Sequence, residues 1–396
     1  MRLLYDLSAT QPSPESKFHG GGAYGEIVFF KLLEYLNKIT LVAYYDAQSY
    51  INPDIVEAAK KRAVTLYDLH EISVAEIIQK ERIDRVYSAM LNLNQKLPLG
   101  NVQVYTTVHG LRTLEMPFNS IMLSYASSLK EKIKFLLFMT VVRKSYLKKL
   151  SEINGKLVND DRIMVITISN HSLASIKSFF PSTINKHIPV FASPTFAQLD
   201  NYTVVKNTDT AHAVSLHSFC VTEKKFFLIT SAARWTKNAL RAVRAFDELF
   251  SDSIATDFKV VVTGVTNKSI FTKKLKNPDN FVFLEYVNRD VLQILTENAY
   301  SFIYPSLNEG FGYPPIEAMQ YGVPVAASGT SSIPEVCGDA VLYFDPYSIS
   351  EIKNRIVQLL DVGIYNQLTE KSKKRYEVIS AKQKRDLTLL AEYIIS

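Results

Sequence analysis

Twelve short apolar runs of strand length recur along the 396-residue chain, separated by stretches of helical pattern. In the first half they are RLLYDLS (2–8), ITLVAYY (39–45), RVYSAM (85–90), VQVYTTV (102–108), IMVITIS (163–169) and HIPVFAS (187–193). In the second half they are KFFLITSA (225–232), FKVVVTG (258–264), FVFLEYV (281–287), AYSFIYPS (299–306), PVAAS (324–328) and AVLYF (340–344). Most are apolar on both faces rather than alternating, the mark of strands covered on both sides in a parallel sheet. Helical segments such as 237–250 and 289–298 lie between them, so the pattern predicts α/β architecture with two doubly wound sheets. A chain this long outgrows one compact core, which also argues for two domains. The tract from Thr195 to Glu223 has no sustained period and many short polar residues, and the boundary is expected there. The expected division is 1–200, 201–364, and a charged helical tail, 365–396, folding back on the first domain.

Composition narrows the function classes. The chain is 47% hydrophobic with mean hydropathy near zero, which supplies a core and excludes a disordered chain. Only two cysteines, Cys220 and Cys337, exclude a disulfide framework and a cysteine-rich metal centre, and a reducing compartment is expected. MRLLYDLSATQP is too short and polar for a signal peptide. The longest apolar run, FLLFMTVV (135–142), is well below a membrane span of ~20 residues. A cytosolic protein, soluble or peripheral on a membrane, is therefore expected. Net charge of +6 is too dilute for a dedicated nucleic-acid binder, and no nucleic-acid partner is expected. The excess gathers around that apolar run, where Lys130, Lys132, Lys134, Arg143, Lys144, Lys148 and Lys149 fall between 129 and 156. Such a segment is either a basic amphipathic helix for an anionic membrane surface or a core helix with a solvated lysine face.

In doubly wound sheets, ligands sit beyond the carboxyl ends of the strands. There the second half carries NEGFGYPPIEAMQYGVPV (308–325), with Glu309 and Glu317 eight residues apart around a Gly-Phe-Gly loop. Gly310 and Gly312 permit close approach of backbone to a ligand or a positive φ. Pro-Pro then starts a short helix, with Glu317 expected in its first turn and glycine past its end. A helix start offers N–H groups to an anion, and the two carboxylates can accept hydrogen bonds from hydroxyls on either side of it. A sugar nucleotide has this layout, a phosphate group between two hydroxyl-rich rings. The alternative is a helix whose acidic first turn merely suits its dipole.

These residues, with the following AASGTSSIPEV, resemble the signature of retaining glycosyltransferase family 4, whose fold is GT-B: two facing Rossmann-like domains with a central cleft. The Glu-x7-Glu pair, the FGxP core, the EAM-x-x-G-x-P-V run and Pro334-Glu335-Val336 agree in order, over about the last 170 residues. The resemblance implies that Glu309 and the backbone of Gly310, Phe311 and Gly312 hold the donor sugar. It further implies that Glu317 binds the ribose, that Val287 lies near the base, and that Lys237 with Arg234 neutralises the diphosphate leaving group. In the first half, FHGGGAYGEIV resembles the family's glycine loop, placing Gly21 and Gly22 toward the diphosphate. VYTTVHG resembles the motif that sets a histidine, here His109, near the donor sugar's outer hydroxyl. Ser169 and Asn170 end another strand and are expected to line the cleft or to serve structure alone.

The implied reaction moves a hexose, from GDP-mannose or a UDP-hexose, onto a hydroxyl of a saccharide or lipid-linked glycan, with retention. No Asp-x-Asp triplet occurs in the sequence, so no metal and no cofactor are expected. A sugar-nucleotide epimerase on the same fold and an inactive sugar-nucleotide-binding subunit are the alternatives.

Overall fold

The computed structural model describes residues 1–12, 20–90, 102–116, 118–199 and 216–396. The expected boundary at 200/201 lies outside the described residues, as does most of the stretch between Thr10 and the glycines at 20–22. The chain forms two compact units, one of Met1–Leu114, Tyr146–Tyr202 and Ser380–Ser396, the other of Glu115–Ser145 and Thr203–Ile379.

The first unit holds β1 (Arg2–Asp6), β2 (Thr40–Tyr45), β3 (Thr65–Asp68), β4 (Arg85–Ser88), β5 (Gln103–Val108) and β6 (Ile163–Thr167), in the order β3-β2-β1-β4-β5-β6. The second holds β7 (Phe226–Ile229), β8 (Lys259–Val262), β9 (Phe281–Phe283), β10 (Ser301–Tyr304), β11 (Val325–Ser328) and β12 (Val341–Phe344), in the order β12-β11-β10-β7-β8-β9. All pairings between these strands are parallel. Counted from its own first strand, each sheet has the same doubly wound order, with its switch point between first and fourth strands. That point lies between β1 and β4 in one unit and between β7 and β10 in the other. The central strands β7, β10 and β11 are buried at every position, which explains why their sequences do not alternate.

Four differences from expectation have physical causes. β3 escaped notice because it is a half-exposed edge strand with no doubly buried run. HIPVFAS (187–193) makes only one isolated bridge, Thr167 to Val190. Pro189 has no N–H to give a ladder, although its carbonyl accepts from Thr167 N at 2.9 Å. Residues 115–145 group with the second unit instead of the first. Ile121 joins the core that contains Phe227 and Phe246, and Asn119 Oδ1 accepts from Arg241 at 3.3 Å. Finally, the helix Val362–Ile395 begins the tail three residues early and divides between the units. Its end is fixed within the first unit, where Ala192 N donates to Asp386 at 2.9 Å and Gln383 donates to the Ser193 carbonyl at 2.6 Å.

The basic segment forms two helices, Leu129–Thr140 and Arg143–Asn159. The first has no buried residue, so a core helix with only its lysines in water is not what forms. Leu129 and Val141 are 75% and 74% exposed, with Ile133, Leu136 and Leu137 also facing solvent. Among the described residues no helix is long and apolar enough to cross a membrane.

Candidate active site

The switch point of the second sheet brings together the loops after β7 and β10, where the sequence reading places Lys237 and Glu309. After β7 the chain runs through an exposed Arg234 into a single 3₁₀ turn, Trp235–Lys237. Asn238 follows with φ of 58°, a left-handed conformation that asparagine tolerates better than most residues, and the helix Ala239–Ser251 begins. Its side chain is wholly buried and donates to the carbonyls of Pro305 (3.0 Å) and Pro346 (2.8 Å). Asn238 thus ties the loop after β7 to the loops after β10 and β12. Asn238→Ala removes both donors and leaves two buried carbonyls unpaired, an expected loss of about 1–3 kcal/mol each at most, seen as a lower melting temperature. Asn238→Asp, which keeps the size but has no N–H to donate, should destabilise comparably; a wild-type melt for both would remove this clamp.

Lys237 and Glu309 meet directly. Lys237 Nζ donates to Glu309 Oε1 at 2.5 Å and to the Tyr304 hydroxyl at 3.2 Å, while Ser306 Oγ donates to the same carboxylate oxygen at 2.5 Å. Both side chains of the ion pair are largely buried. Burial first, then the neighbouring Glu309 charge, lift the Tyr304 hydroxyl far above its usual pKa, with Arg234 acting in the opposite sense. Leu307 N donates to the Thr236 carbonyl at 2.9 Å, locking the two loops together.

The Gly310–Gly312 loop is anchored from below by the turn after β11. Glu309 N donates to Ser331 Oγ at 2.9 Å, and Ser332 Oγ lies 2.9 Å from the carbonyl oxygens of both Glu309 and Phe311. Phe311 is buried. Gly312 has φ of 103°, which side-chain-bearing residues rarely adopt, and a Cβ there would meet Ile333 only at 3.8 Å. Backbone conformation, not space, therefore selects glycine. The helix Tyr313–Gln320 starts immediately after it, with proline near its start. Glu317 is its fifth residue, not in the first turn as expected, so the dipole account of this carboxylate loses its basis. Water reaches Glu317, yet surrounding protein raises its pKa, and the nearby Arg289 works against that rise. Val287 is half-buried in the loop after β9, just ahead of the helix Arg289–Asn298.

The remaining predicted residues belong to the first unit. Gly20, Gly21 and Gly22 do not precede the helix as a loop; they form its first turn, in the helix Gly20–Leu32. Gly21 packs closely on Met90, which follows β4: a Cβ there would lie 2.3 Å from Met90 Sδ, so the methionine side chain would have to shift. Tyr24, on the same helix, packs edge-on against the ring of His109 at 4.8 Å. The Tyr24 hydroxyl and that of Tyr87 both reach Thr107 Oγ1, at 3.1 and 3.0 Å. His109 follows β5, its Nε2 2.9 Å from the Ala89 carbonyl, which fixes the proton on that nitrogen. Ser169 is a helix cap: its hydroxyl accepts from Ser172 N at 3.1 Å, and Asn170 is the first residue of the helix Asn170–Phe179. Sequence reasoning missed Tyr304, Ser306, Ser331, Ser332 and Arg289. Only the polar SGTSS run after β11 offered a signal for any of them.

Residues 218–376 match the family model of the glycosyl transferases group 1. Over 86 residues the chain is 47% identical to O-antigen chain mannosyltransferase B of Escherichia coli, covering 22% of this chain and 23% of that one. Over 128 residues it is 32% identical to O-antigen chain mannosyltransferase RfbU of Salmonella typhimurium, covering 31% and 35% respectively. The matches thus span about a third or less of these relatives' lengths. Over nearly the whole chain the fold resembles that of WaaG, a glycosyltransferase involved in lipopolysaccharide biosynthesis, with a TM-score of 0.66, 12% identity and 99% of each chain covered. The GT-B class expected from the signature is borne out.

Proposed function

We propose that this chain, which belongs to the glycosyl transferases group 1 through residues 218–376, transfers a hexose, mannose foremost, from a nucleotide-diphosphate sugar to a hydroxyl of a growing surface glycan. The buried Lys237–Glu309 pair at the switch point carries the reading: it sets a cation for phosphate beside a carboxylate for sugar hydroxyls, in the segment that matches the family. The curated relatives' names, O-antigen mannosyltransferases, favour mannose and a lipopolysaccharide-type acceptor. GDP-mannose is the first donor to test and UDP-hexoses the second.

In the proposed reaction the bond from the anomeric carbon to the diphosphate oxygen breaks as the acceptor oxygen attaches to the same face, retaining configuration. The acceptor's proton passes to the departing phosphate oxygen. The protein's work is then positioning and charge stabilisation, with no metal and no cofactor. Arg234, exposed and without a carboxylate partner among the described residues, receives the incoming diphosphate. Lys237 turns from Glu309 toward the leaving oxygen as charge develops, and Glu309 is left to accept from sugar hydroxyls. Gly310 to Gly312 let the chain pass close to the sugar, Glu317 takes the ribose hydroxyls, and Val287 flanks the base. The exposed apolar and basic helix Leu129–Thr140 favours work at the cytoplasmic face of an anionic membrane, where a lipid-linked acceptor would be presented.

The test is a thermal-shift series of GDP, UDP, dTDP and ADP sugars. The true donor, at about a hundred times its Kd, should add about 2.7 kcal/mol of stability and raise the melting temperature by several degrees. Labelled sugar should then pass to glycan only when acceptor is present. A chain that no nucleotide stabilises does not have this donor site.

A further inference from the structure

A cavity of about 530 Å³ opens within the second unit, between the segment 123–136 and the helix Ala239–Ser251 with the residues that follow β8. It lies within the size range of small-ligand sites, and neither the donor nor the acceptor reading uses it. Its floor is apolar: Leu240 and Phe271 are buried. Lys132, Arg244, Lys273 and Lys274 line it and are exposed. Asp247 is the lining's one carboxylate, and it is already engaged: both oxygens accept from Lys276 N at 3.0 Å, and Oδ1 also accepts from Asn277 N at 2.9 Å. No carboxylate pairs with any of the four cations among the described residues. Leu136 also lines the cavity, from the helix whose exposed apolar side chains reach solvent next to it.

An apolar floor under four uncompensated cations, continuous with an exposed apolar helix, matches an amphiphile with an anionic head. We propose that this cavity binds one molecule of an anionic phospholipid, its phosphate among Lys132, Arg244, Lys273 and Lys274 and the first part of an acyl chain against Leu240 and Phe271. Arginine and lysine together suit this head: the guanidinium fork engages phosphate oxygens in pairs, and lysines add charge without demanding one geometry. The inference rests on the membrane-surface reading of the helix Leu129–Thr140 and sharpens it from a general attraction to a discrete site.

Calorimetric titration of the full chain with dihexanoyl phosphatidylglycerol, below its micelle concentration, should show saturation at one site. Inorganic phosphate and dihexanoyl phosphatidylcholine should each bind at least about tenfold more weakly, lacking the chain or the net charge. Arg244→Glu with Lys273→Glu should weaken the lipid at least about tenfold, whereas Lys144→Glu with Lys148→Glu, an equal charge change on the next helix, should not. Arg244→Gln with Lys274→Gln repeats the comparison without adding acids, and melting without lipid checks the fold. Equal affinity for inorganic phosphate, equal affinity for phosphatidylcholine, or pocket variants that bind like wild type would each overturn the proposal. Flotation with vesicles of equimolar phosphatidylglycerol and phosphatidylcholine separates the two readings. Wild type that floats but does not bind the soluble lipid keeps membrane docking and loses the site; wild type that does neither loses both.

Discussion

Replacing Lys237 by methionine lowers both stability and turnover, and adding Glu309→Gln restores the first without the second. The two side chains are 8% and 11% exposed, and Glu309 Oε1 accepts from both Lys237 and Ser306. Removing the lysine alone leaves a largely buried carboxylate without its ammonium partner, a loss of about 3–5 kcal/mol for breaking a buried ion pair on one side. At roughly 2–4 °C per kcal/mol, the melting temperature should fall on the order of 10 °C. With glutamine at 309 no unpaired charge remains and the Ser306 hydrogen bond still has an acceptor, so most of that loss returns. Turnover behaves otherwise. The lysine's proposed partner in the transition state is the departing diphosphate, and loss of one such donor costs a hundredfold or more. Thermal melts beside single-turnover rates on the three variants decide it. A double variant that regains wild-type turnover would show that the phosphate does not need this cation, and the proposed chemistry would fail with it.

That experiment also bears on why the resting protein holds Lys237 against Glu309. Each group must be desolvated before any ligand arrives, and alone each would be expensive to bury. Paired, they keep the site preorganised. In the proposed reaction, donor binding would exchange one charge partner for another and so couple sugar and phosphate recognition through a single contact. Arg234 differs in kind, being exposed and without a carboxylate partner among the described residues, and its replacement should weaken donor affinity more than it disturbs the fold.

The second sheet is legible in the sequence: its six strands all appear among the apolar runs, and the central β7, β10 and β11, buried on both faces, leave the most continuous signal. Less of the first sheet is legible. β3 lies at an edge and is half exposed, and HIPVFAS carries apolar residues around a proline that cannot join a ladder. The grouping of 115–145 with the second unit was not readable, since it depends on contacts such as Asn119 with Arg241 across more than a hundred residues. The site shows the same division. Glycines and acids in a fixed motif announce Glu309, Gly312 and Glu317. The residues that hold them, Ser331, Ser332, Tyr304 and Asn238, act through tertiary contacts that ordinary polar or aromatic letters do not advertise. Gly20–Gly22 read as a glycine loop, yet they form the first turn of a helix.

Glu317→Ala should weaken nucleotide binding about ten- to a hundredfold, the equivalent of one hydrogen bond to a charged acceptor at about 1.5–3 kcal/mol. The structure adds a pH signature to that loss. Crowding by protein raises the Glu317 pKa and Arg289 only partly opposes it. Since the pKa is raised, protonation begins at a higher pH than the ordinary glutamate value of about 4.3. The carboxylate, the form proposed to accept from the ribose hydroxyls, is complete above the raised pKa and is lost as pH falls through it. Nucleotide affinity should therefore be flat at neutral and alkaline pH and decline on acidification sooner than an exposed glutamate would dictate. Binding should release the proton wherever the site is partly protonated, because a ligand that needs the carboxylate draws the pKa back down. Glu317→Gln isolates the cause: it should lower affinity throughout and flatten the acid limb. Affinity measured by titration calorimetry from pH 8 to pH 5 tests this, with proton release read from buffers of differing ionisation enthalpy. An acid limb that survives in Glu317→Gln belongs to some other group, and Glu317 would then not be the ribose ligand.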